Sequence, residues 1–99
     1  MRLSELVDEY AARKLISTKT LRLHRVCIRH LSKMLIRPAE VADLTDTNVA
    51  RYAAVQREKK KAPASIAGEQ SKLLALWRFA AQQGYLQKWP TVCAVRVPD

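Results

Sequence analysis

The chain has 99 residues, of which 48% are hydrophobic, and its 18 Lys and Arg against nine Asp and Glu give a net charge of +9. This length supports one domain with a modest core, and two Gly and four Pro argue against a disordered chain. No run approaches the roughly 18 apolar residues of a transmembrane helix, and the charged N-terminus is unlike a signal peptide. We therefore expect a cytoplasmic domain without a membrane partner. Its positive charge favours nucleic acid as the partner.

The cysteines and histidines do not form a metal-binding pattern. Cys27 and Cys93 lie far apart, and neither His24 nor His30 is spaced from a cysteine as in a zinc finger. We expect two free thiols, no metal and no cofactor.

Two helices are predicted in the first third of the chain. The first spans about Leu3 to Arg13, where apolar residues recur at helical spacing. The second begins after Ser17, a residue type that caps helix N-termini, and runs to about Leu35. We expect Arg37-Pro38 to end it, because the residue before proline disfavours helical geometry. The apolar face of the second helix consists of Leu21, His24, Ile28, Leu31 and Leu35.

Two further helices and a tail follow. Thr45 is the predicted cap of the third helix, which fades into residues 57–61. The fourth runs from about Pro63 or Ser65 to Gln83, and Gly84 is expected in the left-handed conformation that ends helices. Trp89-Pro90 then opens an extended tail. The sequence thus predicts an all-α, four-helix, bundle-like domain over residues 1–87 and a linker over residues 88–99.

The positive charge is concentrated on the second helix. Residues 17–37 contain six basic residues and no acidic residue, which is two-thirds of the net charge. Arg22, Arg25, Arg29 and Lys33 lie within about 80° of one another at the helical angle of about 100° per residue. Like charges four residues apart destabilise an isolated helix. We therefore expect these residues to serve the binding of an anionic partner. The predicted DNA-binding residues of this helix are Lys19, Thr20, Arg22, Arg25, Arg29 and Lys33.

A second group of candidate DNA-binding residues surrounds the start of the fourth helix. Lys60 and Lys61 precede this helix, and Ser65 lies in its first turn, where free backbone N–H groups favour a phosphate. Lys72 lies two turns further on. Arginine can bridge phosphate oxygens or read guanine, and a helix fits the major groove of duplex DNA.

Short motifs follow one another in a recognisable order over about residues 1–90. They are Leu3-Ser4-Glu5-Leu6, Ser17-Thr18-Lys19-Thr20-Leu21, Leu44-Thr45, Ser65-Ile66, Leu76-Trp77-Arg78-Phe79-Ala80, Gly84-Tyr85-Leu86 and Trp89-Pro90. This order resembles the N-terminal core-binding domain of tyrosine recombinases of the phage-integrase type. The chain departs from that pattern at His24, where an aromatic residue is usual, at Trp89, where Asn is usual, and at Gly68-Glu69, a stretch that is often basic.

The resemblance implies one half of a clamp around double-stranded DNA, with the second and fourth helices facing the major groove. It implies a role in DNA integration or recombination, together with other recombinase protomers on nucleoid DNA. Catalysis in that family belongs to a following C-terminal domain, which is absent here. We therefore expect no enzymatic activity from this chain, and we interpret Tyr10, Tyr52 and Tyr85 as core or interface residues.

Two other functions remain open from the residues alone. The chain would also suit a helical protein–protein module that docks on an acidic partner, or a helix-turn-helix transcription regulator. The joint of about ten residues between Leu35 and Thr45 argues against the regulator, whose helices are joined by a tight turn. No Ser/His/Asp or Cys/His set and no glycine-rich phosphate loop indicates an enzyme.

Overall fold

The computed structural model describes residues 1–91 and confirms the predicted all-α class. Its helices are α1 (Leu3–Lys14), α2 (Thr18–Leu35), α3 (Asp46–Glu58) and α4 (Pro63–Gln82), with a single 3-10 turn at Val41–Asp43. The joints before α2 and α4 are only three and four residues long, and the joint between α2 and α3 is the long one. Most of the predicted tail, including Cys93, lies outside the described residues.

The predicted helix starts are confirmed by their hydrogen bonds. The Ser17 side chain accepts from the backbone N–H of Thr20 at 3.1 Å, and the Thr45 side chain accepts from that of Asn48 at 3.1 Å. Each cap satisfies a backbone donor that the first turn of a helix leaves free. Pro63 occupies the first position of α4, where its missing N–H costs no hydrogen bond.

The end of α2 has a different cause from the one that the sequence suggested. Ile36, not the Arg37-Pro38 pair, ends the helix by turning to a left-handed conformation with φ 59°. Its backbone N–H returns to the carbonyl of Lys33, and that of Arg37 returns to Ser32. Gly84 has φ 81° directly after the last residues of α4, as predicted.

The core is built around α4, which packs against all three other helices. Trp77 and Phe79 are buried in it, in agreement with their interpretation as core aromatics. Tyr10 lies with its ring edge-on to both His24 and Phe79, at centroid distances of 5.2 Å, so α1, α2 and α4 meet at one aromatic cluster. Burial of each large apolar side chain contributes about 1.5–3 kcal/mol. The core residues of α4 are Ile66, Leu73, Leu74, Leu76, Trp77, Phe79 and Ala80.

Two tethers fix the loops around this core. Arg37 donates to the Asp43 carboxylate at 2.7 Å, and Asp43 also accepts from the backbone N–H of Glu40 at 2.8 Å. After α4, the chain returns to the first turn of α3, where both the backbone N–H and the hydroxyl of Thr91 donate to Asp46. Residues 88–91, predicted as the start of a linker, therefore lie against the helical body. No helix within residues 1–91 is long and apolar enough to cross a membrane.

Candidate nucleic-acid interface

Four basic side chains of α2 form an exposed row, which we call the cationic stripe: Lys19, Arg22, Arg29 and Lys33. None of them has an ion pair or a side-chain hydrogen bond to another residue of the described chain, 1–91. The stripe is therefore a set of uncompensated charges on one side of one helix. Their spacing of three, seven and four residues keeps them on that side over about four turns.

The other two residues predicted on α2 do not belong to the stripe. Arg25 lies on the side of α2 that faces α1, and its guanidinium contacts the carboxylate of Asp8 at 2.7 Å. Packing of α1 against α2 thus places an acid of α1 next to this basic residue, and the ion pair compensates its charge. Thr20 is half-buried, and its hydroxyl accepts from Ser17 at 3.0 Å within the helix cap.

An open groove of about 550 Å³ lies beside the stripe, between α2 and the first half of α4. We call it the α2–α4 groove. Leu23 lines this groove and keeps 45% of its surface exposed. The groove is lined by Leu23, Val26, Cys27 and His30 of α2, by Ser65, Gly68, Glu69 and Lys72 of α4, and by Lys61 and Ala62 of the joint before α4.

Glu69 lines this groove and belongs to a hydrogen-bonded cluster. Its carboxylate accepts from Gln56 at 3.2 and 3.3 Å and from the Tyr52 hydroxyl at 3.3 Å. The Lys61 ammonium lies 3.3 Å from it, and Nδ1 of His30 lies at the same distance. Only 16% of the Glu69 side chain is exposed. An acid on a predicted DNA-facing helix is thus turned inward, where α2, α3 and the joint before α4 all contact it.

The protonation states of this cluster follow from burial and charge. Burial raises the pKa of Glu69, but the hydrogen bonds from Gln56 and the charge of Lys61 outweigh it, so the net shift is downward. The pKa of His30 is also lowered, first by burial and then by Lys61, against the opposing effect of Glu69. The arrangement therefore favours an ionised Glu69 carboxylate beside a neutral His30, and the adjacent Lys61 ammonium balances the charge of the carboxylate.

Of the second predicted group of DNA-binding residues, all but Lys60 line the side of the groove opposite α2. Lys60 is exposed, whereas Lys61 is half-buried against Glu69. Ser65 and Lys72 both line the groove. Ala62 caps α4 without a side-chain hydrogen bond, so the first backbone N–H groups of α4 have no side-chain cap. The structure thus brings Lys61, Ser65 and Lys72 to the same groove as α2.

Sequence reasoning missed the groove and the cluster beneath it. The groove is formed by residues of α2, of α4 and of the joint before α4, and no local sequence pattern reveals how these segments come together. The partners of Glu69 come from residues 8, 13, 17 and 39 positions away. Comparison of the chain with protein-family models, with curated proteins and with solved structures gave no match. The site is therefore defined by its charge and geometry.

Proposed function

We propose that this domain binds double-stranded DNA through the cationic stripe and the residues of α4 that line the α2–α4 groove. The proposal includes the role implied by the resemblance: the core-binding half of a tyrosine recombinase, acting in DNA integration or recombination. The observation that carries it is the cationic stripe, four exposed basic side chains with no acidic partner among residues 1–91. Two other basic residues near this end of the fold are paired with acids, Arg25 with Asp8 and Arg13 with Glu9.

The dimensions of the stripe suit a duplex. Lys19 and Lys33 are 14 positions apart, or about 21 Å along a helix that rises about 1.5 Å per residue. A helix enters the major groove, which is about 12 Å wide, and side chains along its flanks then reach the phosphates on either side. Backbone N–H groups at the start of α4 add a site that favours an anion. A regular polyanion can contact all of these groups at once.

Glu69 is compatible with this function because its charge is balanced within the fold. A free carboxylate in the groove would repel phosphate, but this one is paired with Lys61 and held by neutral donors. The acid that departs from the family pattern therefore leaves the charge of the stripe undiminished.

The test is the salt dependence of binding to a duplex of about 20 base pairs, followed by fluorescence anisotropy. About five neutralised phosphates predict a log–log slope of about −4.5, from about −0.9 per phosphate. The double variant Arg22→Ala/Arg29→Ala should lose affinity and reduce the magnitude of the slope by about 2. Its matched control is Arg51→Ala/Arg78→Ala, which removes the same charge from exposed positions of α3 and of the later part of α4.

Equal losses in the two double variants would show attraction by net charge alone and would refute the proposed site. Absence of binding at low salt would refute DNA binding altogether. Capture of an acidic protein in place of duplex would then favour the protein–protein alternative.

The recombinase role has its own test in the gene. We expect the reading frame to continue beyond the codon for Asp99 into a domain with a tyrosine nucleophile and its basic assistants. Sequencing of the transcript checks this, and a stop codon after Asp99 would contradict the recombinase role while leaving DNA binding in place.

A further inference from the structure

The middle of the proposed DNA-binding surface is apolar. At about 100° per residue, Val26 lies within about 60° of Arg22, Arg29 and Lys33 around α2, so it is surrounded by the stripe. Leu23 lies further toward α4 and keeps 45% of its surface exposed. Both side chains line the α2–α4 groove, and Gly68 faces the same space without a side chain. We call Leu23 and Val26 the apolar strip.

Basic residues on both sides of the α2–α4 groove indicate which partner contacts this strip. Arg22, Arg29 and Lys33 border it on α2, and Lys72 lines the opposite side, where Lys61 also lies and is paired with Glu69. If the basic side chains follow the two phosphate backbones, the strip between them faces the edges of the base pairs. In the major groove those edges carry hydrogen-bonding groups and only one apolar group, the C5-methyl of thymine.

We propose that the apolar strip contacts thymine methyl groups and gives the domain a preference for A·T pairs at the centre of its binding site. This inference rests on the proposed DNA binding and adds base recognition to it. Phosphate contacts alone carry no such preference. The missing side chain at Gly68 leaves open space on the α4 side, since a Cβ there would meet no atom within 4 Å apart from its own stretch of helix.

The experiment compares two duplexes that differ in methyl groups alone. One is an alternating A·T duplex of about 20 base pairs, and the other carries uracil at every thymine position. Uracil keeps the hydrogen-bonding groups and the phosphates and lacks the C5-methyl. Burial of one such group corresponds to about a fourfold change in affinity. We therefore expect the wild type to bind the uracil duplex at least about fourfold more weakly, with the same salt slope on both.

Leu23→Ala should weaken binding to the thymine duplex and leave binding to the uracil duplex unchanged, which reduces the discrimination. The matched control is Leu15→Ala, the same substitution at a leucine that is 87% exposed and does not line the groove. The control should keep the wild-type discrimination. Circular dichroism checks that both variants fold.

The possible outcomes distinguish failure of the methyl contact from failure of the proposed DNA binding. If neither duplex binds, the proposed DNA binding fails. If both duplexes bind equally well with a steep salt slope, DNA binding stands and the methyl contact is refuted. If the wild type discriminates and Leu23→Ala discriminates equally, the preference comes from duplex shape, and the apolar strip does not read the base.

Discussion

Replacement of His24 by phenylalanine should remove a pH dependence of folding stability that this histidine introduces. His24 is 1% exposed, and its Nδ1 is buried without a hydrogen-bond partner among the described residues. Burial first, and the positive charge of Lys72 second, lower its pKa to about 4 from an ordinary value of 6.5. Phenylalanine keeps an aromatic ring against Tyr10 and does not titrate.

The sign follows from which state binds the proton. Between pH 6.5 and about 4 the unfolded chain protonates His24 and the folded chain does not, so stability falls as the pH falls. The fall of this pKa from 6.5 to about 4 corresponds to a loss of about 3–4 kcal/mol of stability over that window. Above pH 6.5 the group is neutral in both states and contributes no slope. Small domains have a stability of about 5–15 kcal/mol, so a loss of this size is measurable.

The assay is urea unfolding of wild type and His24→Phe at several pH values from about 7 to about 4. The useful quantity is the difference in unfolding free energy between the two proteins at each pH. The carboxylates and His30 titrate in both proteins and cancel in that difference. NMR titration of the two histidine rings measures the pKa of His24 directly, with His30→Gln as the assignment control.

Equal pH dependence of the two proteins would refute this reasoning. So would a His24 ring that titrates near 6.5 in the folded protein. Either result would mean that water or a donor reaches Nδ1 and that the burial of His24 is not maintained in solution.

Three further predictions concern backbone conformation and one buried acid. Ile36→Gly should stabilise the fold by about 1 kcal/mol, because Ile36 is 91% exposed at φ 59°, and Ile36→Val, which keeps the branched side chain, should not. Asp43→Asn should destabilise the fold by about 1 kcal/mol or more, because it weakens the acceptor for Arg37. In the wild type the hydrogen bond from Arg37 lowers the pKa of Asp43, so stability is lost as the pH falls below the ordinary Asp value of 3.8, and this loss should be smaller in Asp43→Asn. Gly84→Ala should cost about 1 kcal/mol at φ 81°, whereas Gly68→Ala, inside a helix with open space beside it, should gain about as much. Thermal or urea unfolding checks all three, and a reversed order within either matched pair would contradict the conformational argument.

The helices were predictable because their signals are local. Ser17 and Thr45 cap helices through atoms three residues away, and Gly84 suits a left-handed position by its own chemistry. The burial of His24 followed from its apolar neighbours on the same face of α2. Periodicity also separated the stripe from the core, because both repeat with the period of one helix.

The side-chain partners were not predictable because they come from other helices. Arg25 has the same spacing as its neighbours in the stripe, yet Asp8, 17 residues earlier, pairs with it. In the sequence, Glu69 is an acid on a helix predicted to face DNA. The structure shows that Gln56 and Lys61 donate hydrogen bonds to its carboxylate. The end of α2 was also predicted from the wrong residue. Pro38 suggested that the helix ends at Arg37-Pro38, whereas the left-handed conformation of Ile36 ends it before that pair.

The hydrogen bonds between Thr91 and Asp46 have a consequence for local motion. Lys88 also lies against this carboxylate, at 3.2 Å, and its carbonyl accepts from the Trp77 indole at 2.9 Å. The first turn of a helix ordinarily frays, and its amide hydrogens exchange quickly with solvent. Here that turn of α3 is bonded to the segment that follows α4, so opening one end requires the release of the other. Slow amide exchange should therefore extend to the beginning of α3, and the Trp77 indole proton should exchange in the same cooperative event.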